Sequence, residues 1–205
     1  MLMHTPSSQQ FVWRAPTPGL RWKLTGAIVA MVALMAAAGP ASTTPPEFRE
    51  HDIKAVFLFR FLQFVEWPAT AFAEDDSPIV IGVLGDDPFG AALDETVRNE
   101  VVGNRHVVIR RGTDLAAVQP CHLLFVSRQP DGTLPDTWSP LPTGVLLVGE
   151  APEFLSRGGM VNFYMQDNQV RFEICPEAVE QAQLRMRSRL LRLARLVECP
   201  AAAPH

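Results

Sequence analysis

Phe48–Pro68 gathers five of the chain's twelve phenylalanines, Phe48, Phe57, Phe59, Phe61 and Phe64, and Trp67 closes the stretch. Each such ring carries about 150–250 Å² of surface, so the segment has to lie against something. On a helix, Ile53, Phe57, Phe61 and Phe64 follow the i, i+4, i+8, i+11 spacing of one face. Phe59 falls nearly opposite Phe57, between Gln63 and Glu66, and Leu58 and Leu62 extend the apolar surface toward it. The helix is therefore apolar around well over half its circumference, more than one core-facing side needs. Either it sits between two layers or its second face meets a partner. Thr44, Pro45, Pro46 and Glu47 form a capping-box start. Trp67-Pro68 stops the helix, because the residue before proline is driven out of the α region.

Residues 1–42 read as a targeting segment. Arg14, Arg21 and Lys23 make a basic start without acids, Leu24–Ala38 is an apolar run of fifteen residues, and small residues follow. Fifteen is short of the ~20 that a spanning helix needs, so export with cleavage is expected rather than a membrane anchor. Losing three basic residues takes the formal net charge from −4 to −7. A domain this acidic is a poor nucleic-acid binder, since phosphate contacts require a basic patch. The remainder, residues 43–199, has the size of one domain, and 200–205 is expected to be a disordered tail.

The mature chain then alternates. Ile79–Leu84, a strand within Gly103–Arg111, Cys121–Ser127 and Gly144–Gly149 read as buried strands, with helical stretches at Ala91–Asn99 and Asp114–Val118. Residues 128–143 carry four prolines and read as a loop with a turn near Thr137–Trp138. Met160–Met165 and Gln169–Ile174 flank turn chemistry and predict a hairpin. From Cys175-Pro176 a last helix is expected to run to about Val197, with Val179, Met186, Leu190, Leu193 and Val197 as its packing stripe. Alternation of this kind predicts an α/β fold of three layers: a mostly parallel mixed sheet of about six strands, a C-terminal antiparallel hairpin, and flanking helices.

The three cysteines are Cys121, Cys175 and Cys199. A helix between Cys175 and Cys199 would hold them roughly 30 Å or more apart at 1.5 Å per residue, which excludes that pair within one chain. Cys121 bonded to either of the others, an intermolecular bridge through Cys199, and unpaired thiols all stay open. Cys121 and Cys199 are the redox candidates.

Catalytic signatures are missing. There is no G-x-S-x-G around Ser127, and Cys121 and His122, adjacent in a strand, point to opposite faces. His51, His106, His122 and His205 are scattered, without metal-ligand spacing, so neither a metal nor a cofactor is expected. The loop Gly85–Gly90 follows a strand end, where open α/β sheets bind ligands. Asp86, Asp87 and Phe89 are accordingly the candidates for a small-ligand site, although two acids there would repel phosphate. Arg185, Arg189 and Arg192 would share one face of the last helix, solvated or docked to an acidic partner. Phe59 among Arg60, Gln63 and Glu66 is either packing under a loop or an interface anchor, because aromatics and arginine concentrate at hot spots.

Lys54–Phe61 with Phe64–Pro68 resembles the first helix of the YfiR-like periplasmic proteins. Ile81–Phe89, Cys121–Ser127, Gly158–Phe163, Val170–Ile174 and Ser188–Ala194 resemble further blocks of that family, in the same order. The resemblance implies an exported α/β protein, a homodimer, that acts by binding and not by catalysis. Its partner would be the periplasmic domain of an inner-membrane diguanylate cyclase, held inactive, with an outer-membrane lipoprotein able to sequester the repressor. Cyclic-di-GMP output and biofilm formation would then be under its control. On that reading Phe59, Arg60 and Glu66 are the candidate partner contacts; a periplasmic small-ligand sensor is the alternative. Two departures stand out. Cys175 replaces the asparagine common after F-E-I, and the first strand, Ile79–Leu84, lacks the cysteine that some members pair with the one at Cys121. The family's redox control therefore does not carry over.

Overall fold

The computed structural model describes residues 46–129, 133–135 and 141–199. The expected leader, the Thr44 cap, the turn at Thr137–Trp138, His205 and the tail lie outside the described residues. Helix α1 spans Pro46–Phe64. With neither Gly nor Pro inside it after Pro46, nothing interrupts its hydrogen-bond ladder. It passes directly into a two-residue strand, β1 (Val65–Glu66), before Pro68.

Strand β2 (Ile79–Leu84) is buried along its whole length, as six apolar residues in a row require. Helix α2 (Ala91–Val97) leads to β3 (Val101–Val102) and β4 (Arg105–Gly112). Helix α3 (Leu115–Val118) is capped by Asp114, whose side chain accepts from the Ala117 N–H at 2.9 Å. Strands β5 (Leu123–Val126) and β6 (Leu146–Gly149) are again buried throughout. The hairpin β7 (Val161–Gln166) and β8 (Gln169–Ile174) turns on Asp167-Asn168, both at positive φ, the backbone of a two-residue type I′ turn.

The segment expected to be one long helix is instead four pieces: α4 (Pro176–Gln181), β9 (Arg185–Met186), α5 (Ser188–Leu191) and β10 (Arg195–Leu196). Tertiary bonding overrides a strong local helix propensity here. Gln183 adopts a left-handed φ of 61° and turns the chain. The Arg187 N–H then bonds the Phe64 carbonyl at 2.9 Å, and the Val197 N–H bonds that of Ile174 at 3.0 Å. Leu190 is buried, but Leu193, assigned to the packing stripe, is 65% exposed. Doubling back also brings Cys199 to Cys175, with Cα atoms 5.8 Å apart, and the two form a disulfide. The sequence reading that excluded this pair is corrected: its premise, a continuous helix, does not hold.

Eight strands make one sheet in the order β10-β8-β7-β6-β5-β2-β4-β3, with β1 and β9 paired antiparallel as a separate ribbon. The five strands β4, β2, β5, β6 and β7 run parallel, and β8 is antiparallel to β7. The two strands beyond the expected six are the short edges β3 and β10. Phe57 and Phe61 of α1 meet Phe163 and Phe172 of the hairpin at 5.2–6.1 Å between ring centroids, so α1 covers that face. The register puts Gly82 on the opposite face, where a Cβ would meet Val118 of α3 at 3.3 Å. Helices thus cover both faces, as buried parallel strands demand.

Candidate partner-binding surface

At about 100° per residue, the covered residues of α1 sweep roughly 200° of its circumference. Half-buried Phe57 marks one border and buried Phe59 the other, with Phe61, Lys54, Leu58, Leu62 and Ala55 buried between them and Val65 of β1 continuing the same arc. The wide apolar surface is therefore explained by two neighbours: the hairpin on one side and α2, packed along α1, on the other. Phe59 is 7% exposed and belongs to the core, whereas Ile53, expected inside, is 40% exposed. Ile53 and Phe57 are not equivalent, because the centre of burial lies near Leu58 and not near Phe57.

What remains uncovered is a stripe of Asp52, Ile53, Val56 and Arg60, with Phe64 and Gln63 half-buried along it. Val56 is 45% exposed. Arg60 is exposed, and its guanidinium donates to Gln63 Oε1 at 2.8 Å. Glu66, one strand further, is exposed and accepts from Arg187 Nε at 3.2 Å across the β1–β9 ribbon. Arg60 and Glu66 thus lie at the same end of α1, while Phe59 points inward. The exposed residues that sequence reasoning missed are Ile53 and Val56; a hydrophobic pattern cannot rank two apolar arcs when both flanks carry rings.

The stripe is held on a rigid base. Lys54, 4% exposed, donates to Glu50 at 2.5 Å on the preceding turn and to Glu150 at 2.6 Å just after β6. Beside the stripe's C-terminal end lies a groove of about 420 Å³ lined by Leu62, Gln63, Trp67, Phe72, Arg105 and Arg187, among others.

The small-ligand candidates sit elsewhere, at the carboxyl ends of β2 and β5. Asp87 accepts from the Phe89 N–H at 2.9 Å with one oxygen and from Arg111 Nε at 2.6 Å with the other, so its carboxylate is occupied by the loop's own structure. Asp94 shares Arg111; burial is the largest single effect on that guanidinium and lowers its pKa, but the hydrogen bonds and charges of Asp87 and Asp94 together raise it above its ordinary value. Phe89 is buried, edge-on to Phe125 at 4.7 Å and to His51 at 6.3 Å; only Asp86 is exposed. The redox candidates separate: Cys199 is bonded to Cys175, and Cys121 is free and buried. Burial pushes the Cys121 thiol up to about 12, against a smaller lowering by Arg110, which makes it a poor thiolate. Arg185, Arg189 and Arg192 do not share a helix face, because that helix is absent. No group of three metal-ligating side chains occurs among the described residues, and none of their helices is long and apolar enough to cross a membrane.

None of the curated proteins compared with the chain matches it. A family comparison matches residues 51–195 to the YfiR/HmsC-like description. That interval runs from the second turn of α1 to the first residue of β10, so it takes in the whole sheet core. Proteins of this kind are periplasmic and regulatory rather than catalytic, and act with membrane diguanylate cyclases. The chain belongs to the YfiR/HmsC-like family.

Proposed function

We propose that this protein is exported and represses a membrane diguanylate cyclase by binding the cyclase's periplasmic domain, thereby lowering cyclic-di-GMP and biofilm formation. The observation that carries the site assignment is the uncovered stripe of α1, with Ile53 and Val56 each at least 40% exposed beside Arg60. A rigid helix presenting apolar side chains next to an arginine has the makings of an interface hot spot. Repression then acts as a population shift: the bound form favours the inactive cyclase by no more than the difference in affinity for its two states. Homodimerisation and sequestration by an outer-membrane lipoprotein belong to the same reading.

The test is cyclic-di-GMP measured in cells that lack the native protein and express variants. Ile53→Asp with Val56→Asp should raise cyclic-di-GMP to the level of the empty strain while the purified variant keeps its Tm within a few degrees. Arg60→Glu should act in the same direction. Undiminished repression by the folded double variant would overturn the surface, and equal cyclic-di-GMP with and without the wild-type protein would overturn repression itself.

A further inference from the structure

His122, the residue before β5, is 6% exposed, and its ring ties together three parts of the fold. The Val80 N–H of β2 donates to Nδ1 at 3.0 Å. A nitrogen that accepts a backbone N–H carries no proton, so the ring is the neutral tautomer protonated at Nε2. Its Nε2–H donates to the Ala71 carbonyl at 3.1 Å, in the segment that leaves α1. Phe72 of the same segment stacks on the ring at 4.3 Å and 22°. Trp67 closes the arrangement by donating its indole N–H to the His122 carbonyl at 3.2 Å.

The charged group that bears on this ring is a cation, Arg105. Arg105 of β4 lies 3.7 Å from the centre of the Phe72 ring, on a guanidinium fixed by the Ser77 carbonyl at 2.6 Å and that of Glu74 at 3.0 Å. Glu74, Asp75 and Asp76 of the adjoining loop are exposed, and no carboxylate among the described residues bonds the imidazole. Cys121 beside it is an uncharged thiol at neutral pH. The groups that reach it from α1's exit and from β6, Trp67 and the Leu146 N–H, are uncharged and bond its backbone carbonyl.

We propose that His122 is a pH-sensitive latch that closes the Trp67–Phe72 segment onto β2 and β5 when neutral and releases it when protonated in mild acid. Protonation places a hydrogen on Nδ1 where the Val80 N–H already points, so that bond is lost and two donors face each other. It also buries a cation one ring away from Arg105, with no acid to compensate. Burial, with a smaller contribution from Arg105, accordingly lowers the imidazole pKa below its ordinary 6.5, against the opposing effect of the Ala71 carbonyl. The group binds its proton more tightly unfolded than folded. The stability it contributes is complete above pH 6.5 and is lost as pH falls through the lowered folded value. Trp67–Phe72 is the exit from α1, so any bearing of the latch on cyclase control rests on the reading above; the test reads the latch without it.

Histidine-ring nitrogen NMR of the whole protein between pH 7.5 and 4.5, with amide exchange of residues 67–80 alongside, tests the latch. The expected result is an Nε2–H tautomer at pH 7 and a ring that titrates below 6.5. Exchange at Val80 and through 67–72, corrected for its intrinsic pH dependence, should rise at least tenfold along the same titration curve. His122→Asn, whose side-chain oxygen still reaches the Val80 N–H, should abolish that pH-linked rise. A ring that titrates at 6.5 or above, an Nδ1–H tautomer, or exchange that does not follow the ring would overturn the latch. The same holds for an Asn variant that opens in parallel with the wild type. If the Asn variant does not fold, the two wild-type curves suffice: coincidence supports the latch and divergence overturns it.

Discussion

Lys54 Nζ lies 2.6 Å from Glu150 Oε2, joining residues 96 apart in sequence and fastening α1 to the carboxyl end of β6. The ammonium is almost fully buried, and its second partner, Glu50, is one helical turn away. Both carboxylates are less buried than the lysine, so solvent screens part of the attraction. Removing the lysine leaves two partly solvated acids side by side, a loss of about 2 kcal/mol, below that of breaking a fully buried pair. Lys54→Ala should show it as a lower urea midpoint with an unchanged m-value. Lys54→Met keeps most of the volume, and should recover less than half of the loss if charge and not packing dominates.

The Cys175–Cys199 bond closes a segment with a sequence separation of 24. Constraining a loop of that size in the unfolded chain is worth about 3 kcal/mol. Cys199→Ser should therefore lower stability by that amount in urea unfolding, and wild type in reductant should match it. Strand β9, which pairs with β1, and strand β10 both lie inside the closed segment. Proteolysis of the variant should accordingly begin between residues 182 and 199. On non-reducing gels the wild-type protein should run as a single chain, because the bond lies within it.

The core sheet was legible because its strands are unbroken apolar runs: Ile79–Leu84 and Leu123–Val126 can only be buried on both faces. The hairpin was legible from Asp167-Asn168, whose side chains tolerate the positive φ of a tight turn. The C-terminal segment was not. Pro176–Val197 has neither Gly nor Pro after its first residue, and its acids precede its arginines as in a dipole-matched helix. The structure breaks it through long-range partners, Phe64 and Ile174, that no local pattern records. The disulfide was hidden with it, since the distance between its cysteines depends on a helix that does not form. The candidate surface was half legible. Arg60 and Glu66 are exposed, but the rings flanking the buried arc, Phe57 and Phe59, made its centre ambiguous, and Phe59 stood in for Val56.

Phe59 is accordingly a stability residue. Truncating a buried phenylalanine costs about 3–5 kcal/mol. Phe59→Ala should unfold at much lower urea than wild type, whereas Val56→Ala, on the exposed side of the same turn, should stay within about 1 kcal/mol. A Phe59→Ala protein as stable as wild type would mean that α2 does not seal that flank of α1.

Cys121 supplies a test at the alkaline end. Its thiol is free and buried, and stays protonated until about pH 12, against an ordinary value of 9.0. The folded value is the raised one, so the unfolded chain ionises first. The contribution is complete below pH 9 and is lost as pH rises toward 12. Between those limits, wild type should lose stability relative to Cys121→Ala by up to about 1.4 kcal/mol per pH unit. Urea unfolding of both proteins at pH 8, 9, 10 and 10.5 measures the difference and cancels the other groups that titrate there. Native alkylation gives an independent reading. Iodoacetamide at pH 8 should leave Cys121 unmodified for hours and label it within minutes once urea unfolds the chain. Rapid labelling of the folded protein would mean that the start of β5 opens far more readily than its packing implies.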